Sequence, residues 1–379
     1  MADSSSDIYR RLQRHLDKFP IGFPAAPSGV DQELLRYLFN ETEARVAAAL
    51  NLIGEPAAKI ATRLKDLPLT VGELETLLEE MAAKGIINSY SKRSGGTYYH
   101  VAFLAIGIFE FQAERMTPEF FRLFKRYLDE AFRDELLSTR IPQLRTIPTE
   151  GSLLPDLVVE NYDHIRILIK EFDSDIAVAK CVCRIAHDSV DEPCQVTDDR
   201  ETCLIFGSAA RRFVHLGWGR MISKDEVFAI LEKAEKDGLV VQPSNTQKLF
   251  AACLCCGCCC EILTSVRPLE NPVQYFATNF RAVVDEEACV GCGKCVKRCQ
   301  MDAVVVDEAK KAVIDYSRCI GCGVCVPTCK KEAIRLERKE TTTVPPKDAA
   351  RLYLNILKKK VGSARQMIML SKQLLGRLA

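Results

Sequence analysis

Cysteine is missing from the first 180 residues of this 379-residue chain, and the whole sequence holds one tryptophan and five histidines. Metal or thiol chemistry based on cysteine is therefore confined to the second half. An excess of one charge is also missing. The 52 Lys and Arg against 51 Asp and Glu leave a formal +1, so the global field does not announce nucleic acid or membrane as a partner. Long apolar runs are lacking as well. The longest, Val101 to Phe109, falls far short of the ~20 residues that span a bilayer as a helix. Met1 to Asp7 is polar and has no apolar signal-peptide core, and the expectation is a soluble, cytoplasmic protein. There is no GxxxxGK[ST] loop for ATP, no convincing GxGxxG turn for a dinucleotide, and no nucleophile with an identifiable base. At this length two or three domains are expected.

All eighteen cysteines lie between Cys181 and Cys329. Without a signal peptide such density reads as metal ligation or redox chemistry, not as a disulfide framework. The stretch VDEEACVGCGKCVKRCQMDAVVVD from 284 aligns without gaps on IDYSRCIGCGVCVPTCKKEAIRLE from 314, at a period of thirty residues. Cys289, Cys292, Cys295 and Cys299 fall over Cys319, Cys322, Cys325 and Cys329, each set a C-x2-C-x2-C-x3-C run. Three thiolates from one tight loop grip one face of a cubane, and the fourth reaches to the other copy's cluster. Gly291, Gly293, Gly321 and Gly323 let the backbone wrap closely. Zinc in two separate sites is the bland alternative, but it does not require the remote cysteine in both copies.

Residues 282 to 338 or so resemble bacterial-type ferredoxins with two 4Fe-4S clusters. The resemblance implies that Cys289, Cys292, Cys295 and Cys329 hold one cluster and Cys319, Cys322, Cys325 and Cys299 the other. The family usually places proline after the fourth cysteine; here Gln300 and Lys330 stand there, which alters local packing.

Upstream lie ten more candidate metal ligands: Cys181, Cys183, Cys194, Cys203, Cys253, Cys255, Cys256, Cys258, Cys259 and Cys260, six of them within CLCCGCCC. Ten thiols supply two four-ligand sites with a pair left over, or one site and a reactive dithiol. A strand over Ile176 to Ala179 and a helix capped by Ser223 and Glu226, burying Val227, Ile230, Leu231 and Ala234 and stopping at Gly238, mark a folded module. The expected occupant is an additional iron-sulfur cluster, with zinc the alternative. Cys255-Cys256-Gly257 resembles the Cys-Cys-Gly motif of heterodisulfide reductase subunits only locally, and its duplicated spacing is absent. The C-x-C-R and CCGCCC runs upstream of the repeat also resemble those of ferredoxin-domain proteins of strict anaerobes, a likeness that implies no substrate. His187, alone in a polar loop, reads as solvated.

From Asp31 to about Phe103 the pattern is three helices and a hairpin turning at Gly95-Gly96, which resembles a winged helix. Thr70 and Glu73 cap the third helix, which buries Val71, Leu74, Leu77, Leu78 and Met81. It exposes Glu73, Glu75, Glu79 and Glu80 against Lys84, the wrong sign for a phosphate-lined groove, and Lys92 and Arg93 on the wing do not reverse this. A partner-docking role is therefore preferred to DNA binding. Residues 117 to 138 form a further helix begun by Thr117 and Pro118, and Pro142, Pro148, Gly151 and Pro155 read as a linker. After Pro345-Pro346, a last helix carries Leu354, Leu357, Val361, Ala364, Ile368, Leu375 and Leu378 with Lys358, Lys359 and Lys360 on one side. It either packs on its own protein or serves as a basic docking arm for a partner or an anionic membrane surface.

The expected architecture is α+β. A winged-helix-like helical domain occupies 1–103, a helical connector and linker 104–155, a Cys-rich α/β metal-binding module 156–275, the two-cluster 4Fe-4S domain 276–340 and an amphipathic helix 341–379. The expected function is an electron carrier, or the electron-transfer subunit of an oxidoreductase, working between redox protein partners in anaerobic metabolism; self-association is left open. A redox enzyme acting on a thiol or disulfide at CLCCGCCC, and a DNA-binding redox regulator, are the alternatives.

Overall fold

The thirty-residue repeat folds back on itself with two-fold correspondence. β8 (Phe280–Val284) pairs antiparallel with β11 (Ile334–Arg338), setting Val284 opposite Ile334, while β9 (Val304–Val306) pairs with β10 (Ala312–Ile314), setting Val304 opposite Ile314. A shift of thirty residues converts one pairing into the other. The same exchange recurs at the loop edges, where Asp285 N donates to Ala333 O and Asp315 N to Ala303 O, both at 2.8 Å. The structure is a computed structural model and describes residues 5–91, 95–375 and 377–378. The strand numbers follow chain order and include a hairpin, β1 (Ile87–Ser91) and β2 (Thr97–Val101).

Upstream of the repeat lies a five-stranded antiparallel sheet in the order β5-β3-β4-β7-β6, made of β3 (Ile176–Lys180), β4 (Glu201–Phe206), β5 (Gly219–Met221), β6 (Val240–Pro243) and β7 (Ala251–Cys255). Its strands other than the exposed edge β5 are largely buried on both faces, and the helix Lys224–Asp237 packs Val227, Leu231 and Ala234 into the core they share with Leu204, Phe206 and Leu254. Ser223 Oγ accepts from Glu226 N at 3.2 Å, and Gly238 ends the helix at φ +87°, the left-handed position that glycine adopts without strain.

The sheet and the repeat belong to one compact unit, Arg140–Leu352; the other comprises Met1–Thr139 with Tyr353–Ala379. This departs from the expected boundaries, most clearly at the proline-containing stretch around 142–155. That stretch is not a free linker. Arg145 N bonds Pro243 O, Ile147 N bonds Val241 O, Thr146 N bonds Ala277 O and Thr149 N bonds Cys322 O, so its backbone donors are satisfied by sheet and repeat alike. Arg145 is buried with Asp163, and Asn279 Nδ2 donates to the same carboxylate at 2.7 Å.

In the helical unit, Asn40 and Thr70 form reciprocal capping boxes with Glu43 and Glu73 at the starts of Glu41–Ala47 and Val71–Ala83, and Thr117 caps Pro118–Tyr127. A short helix, Ala57–Ala61, adds to the three expected before the hairpin, and Glu55 bridges Tyr99 beside it. Phe109 stacks on Phe124 at 3.8 Å between ring centroids, with Phe120, Tyr127 and Phe132 buried around them. Glu73, Glu75, Glu79 and Glu80 are exposed on Val71–Ala83, and Lys84 pairs with Glu43 at 2.8 Å. Val71, expected inside, is exposed at the helix start. Lys92 and Arg93 lie outside the described residues. The expected last helix is two, Ala349–Val361 and Ser363–Leu374, broken at Gly362 with φ +81°. The three lysines do not act as one basic stripe, because Lys360 Nζ is tied to Asp17 O, Phe19 O and Glu135 Oε1. Among the described residues no helix is long and apolar enough to cross a membrane.

Candidate metal centres

The repeat builds two thiol-lined cavities. Cys289, Cys292 and Cys295 line one together with Cys329 from the second run; Cys319, Cys322 and Cys325 line the other together with Cys299 from the first. Each loop turns through glycines in the left-handed region. A Cβ on Gly291 would stand 2.1 Å from Lys310 O, and one on Gly321 2.1 Å from Phe280 O, distances no side chain tolerates. The backbone is thereby drawn in close enough for amides to reach sulfur. Ala312 N donates to Cys289 Sγ at 3.4 Å, Ala282 N to Cys319 Sγ at 3.4 Å and Ala303 N to Cys299 Sγ at 3.2 Å. A soft thiolate donor set, glycine-relieved loops and N–H groups aimed at sulfur fit 4Fe-4S clusters.

The two cavities differ in what surrounds them. Cys292, Lys294, Lys330 and Lys331 are exposed at the first. The second is packed inside the unit: Thr149 N donates to Cys322 O at 3.0 Å, and Gly323 lies against Ser152. Burial pushes the Cys322 thiol up to about 12 and Cys325 well above its ordinary value.

Gln300, in the position where proline was expected, has a clear structural use. Its Oε1 accepts from Gly257 N at 2.6 Å and its Nε2 donates to Gly238 O at 3.1 Å. The residue that follows a cysteine of the second cavity thus holds the CLCCGCCC loop directly. A Cβ on Gly257 would meet Gln300 O at 2.6 Å, which explains the glycine. Arg298 Nη2 reinforces the junction by donating to Lys236 O at 2.6 Å, and Arg318 Nη2 by donating to Arg267 O at 2.8 Å.

The ten upstream cysteines divide four and six. Cys194 Sγ stands 3.6 Å from both Cys256 Sγ and Cys258 Sγ, and Cys258 Sγ stands 3.6 Å from Cys259 Sγ; all four sulfurs lie within 4.8 Å of one another. The other six thiols interact electrostatically in a string, Cys181 with Cys183, Cys183 with Cys260, Cys260 with Cys255, Cys255 with Cys253, and Cys253 with Cys203. Strand register causes part of this: Cys203 and Cys253 are direct partners across β4 and β7, and Cys255 lies two residues further along the same face of β7. Cys181 and Cys260 each precede a short helix, Val182–Asp188 and Glu261–Val266.

Arg184, fully buried, was not singled out by its sequence context beyond the C-x-C-R pattern. It donates to Thr202 Oγ1 and to Leu254 O, the latter at 2.8 Å. Burial opposes its charge, but the sulfurs of Cys181, Cys256 and Cys194 more than compensate and hold the guanidinium above its ordinary pKa. One cation thereby serves both upstream thiol groups. His187 is half-buried, not solvated, with its ring nitrogens 3.4 Å from Glu192 and Glu261 carboxylate oxygens.

Residues 282–336 match the family described as 4Fe-4S dicluster domain, and this part of the chain is an iron-sulfur, ferredoxin-type domain. No curated protein and no solved structure matches the chain. The dicluster domain points to iron-sulfur electron transfer.

Proposed function

We propose that this protein relays single electrons between redox protein partners, entering or leaving at the exposed cavity of the repeat and passing inward toward the Cys-rich module. Two 4Fe-4S clusters, held by Cys289, Cys292, Cys295 and Cys329 and by Cys319, Cys322, Cys325 and Cys299, supply one-electron chemistry when bound. The observation that carries the reading is the asymmetry of the two cavities, one open beside lysines and one pinned by Gln300 to the CLCCGCCC loop. The chain's own residues do the rest. Amides from Ala282, Ala303 and Ala312 stabilise sulfur charge, and burial of the second loop keeps water from it. Exposed Lys294, Lys330 and Lys331 offer an electropositive face to an acidic partner.

A further iron centre belongs to the six-thiol string. Cys181, Cys183, Cys203, Cys253, Cys255 and Cys260 are the thiols that would hold it, and iron bound there would add one-electron chemistry next to the dicluster domain. The acidic face of Val71–Ala83 supports partner docking by the helical unit over DNA binding. The test is redox cycling of anaerobically prepared full-length protein. Reduction by dithionite and reoxidation by a one-electron acceptor should proceed reversibly, with the electron paramagnetic resonance of reduced 4Fe-4S centres appearing and vanishing in step. Protein that takes up electrons without returning them, or takes up none, contradicts the carrier role.

A further inference from the structure

The four thiols of Cys194, Cys256, Cys258 and Cys259 are spaced unlike those of the repeat. Around one ion with metal–sulfur bonds of about 2.3 Å, tetrahedral geometry sets the sulfurs about 3.8 Å apart. Three sulfur–sulfur separations here are 3.6 Å and none exceeds 4.8 Å. In a cubane each thiolate binds a different iron, and the sulfurs diverge from a core that itself needs room. The repeat shows that second arrangement, with thiols standing around cavities. Here the sulfurs touch, and no space for an inorganic core lies between them.

The surroundings point the same way. Cys194, Cys256 and Cys259 are buried, members of the hydrophobic core that includes Leu204, Val227 and Leu254, with Cys258 packed against it. A tetrahedral thiolate set closed off by apolar side chains leaves no coordination position for a substrate, which is the signature of a structural site. Its mechanical use is visible as well. Cys194 sits in the irregular stretch between the helix Val182–Asp188 and β4, 62 residues before Cys256, so one ion would staple that stretch to the CLCCGCCC turn. Four thiolates around a divalent ion carry net negative charge, and the buried Arg184 guanidinium beside Cys256 and Cys194 offsets part of it.

We propose that Cys194, Cys256, Cys258 and Cys259 bind one zinc ion in a closed, structural tetrathiolate site. CLCCGCCC thus serves two centres, giving Cys256, Cys258 and Cys259 to the ion and Cys253, Cys255 and Cys260 to the six-thiol string. The inference does not depend on the electron-carrier reading, and the test separates them. Full-length protein prepared without oxygen, in medium containing both iron and zinc, should hold about one zinc per chain, with a zinc K-edge spectrum showing four sulfurs at about 2.3 Å. In Cys258→Ser, zinc should fall roughly tenfold or exchange one sulfur for oxygen in its shell, while the resonance of the reduced dicluster domain persists. The spectrum of the unaltered protein stands even if this variant folds poorly. Zinc well below one per chain, a zinc shell containing nitrogen or oxygen in unaltered protein, or a Cys258→Ser protein that loses iron and sulfide in place of zinc would overturn the assignment.

Discussion

The two C-x2-C-x2-C-x3-C loops have the same spacing, glycines and strand register, yet one lies at the surface and the other inside its unit. Gly293 and Gly323 occupy equivalent positions with φ +70° and +75°; a Cβ on the first meets nothing within 4 Å, and one on the second lies 2.1 Å from Ser152 Oγ. Gln300 and Lys330 are likewise equivalent, and Gln300 is buried while Lys330 is exposed. Ligand spacing determines that a cluster is held. What surrounds the loop determines whom that cluster can exchange electrons with. An internal duplication has thus been made asymmetric by contacts that its ligand motif does not encode.

The strongest test of that asymmetry removes one crossed ligand at a time. Cys299→Ser should abolish the second-cavity cluster, lowering iron by about four per chain, and the surviving resonance should be broadened by added nickel ion because it arises at the exposed cavity. Cys329→Ser should leave a resonance that nickel barely affects. Loss of the cluster in each cysteine's own loop would contradict the crossed sets. Next in size is the glycine pair. Gly293→Ala costs about 1 kcal/mol, the strain of a left-handed alanine, while Gly323→Ala adds a clash with Ser152 and should cost about 3 kcal/mol, read from thermal unfolding under anaerobic conditions. Equal losses would show that the loops are not differently packed.

Gln300→Ala leaves Gly257 N and Gly238 O without partners and should cost about 2 kcal/mol, against a change near zero for Lys330→Ala. Denaturant midpoints at constant slope measure both. Smallest is the effect of surface charge. Replacing Lys294, Lys330 and Lys331 together by glutamate should slow reduction by anionic dithionite a few-fold at low salt, with the difference fading as ionic strength rises. A rate that does not respond to these changes would place electron entry elsewhere.

What could be read in the sequence was what is local. The repeat was legible because three ligands lie within one loop and the fourth follows at fixed distance. The caps at Thr70, Thr117 and Ser223 were legible because a cap is decided within four residues. The division of the ten upstream cysteines was not, since it depends on β4 and β7 setting Cys203 opposite Cys253 and on Cys194 returning from a distant loop. The stretch around Pro142 to Pro155 misled because proline and glycine mark irregular backbone, whether or not it is free. This backbone finds its partners in the edge of a sheet and a cluster loop. The break in the last helix at Gly362 was not legible, because the leucine periodicity across it is strong enough to suggest continuity.

The most direct measurement is the iron and acid-labile sulfide content of full-length protein prepared without oxygen, taken together with its resonance after reduction. The account predicts at least about eight irons per chain with matching sulfide, and signals from two centres of which only one is reached by a paramagnetic ion in solution. Colourless protein without labile sulfide, or two centres equally exposed, would contradict it.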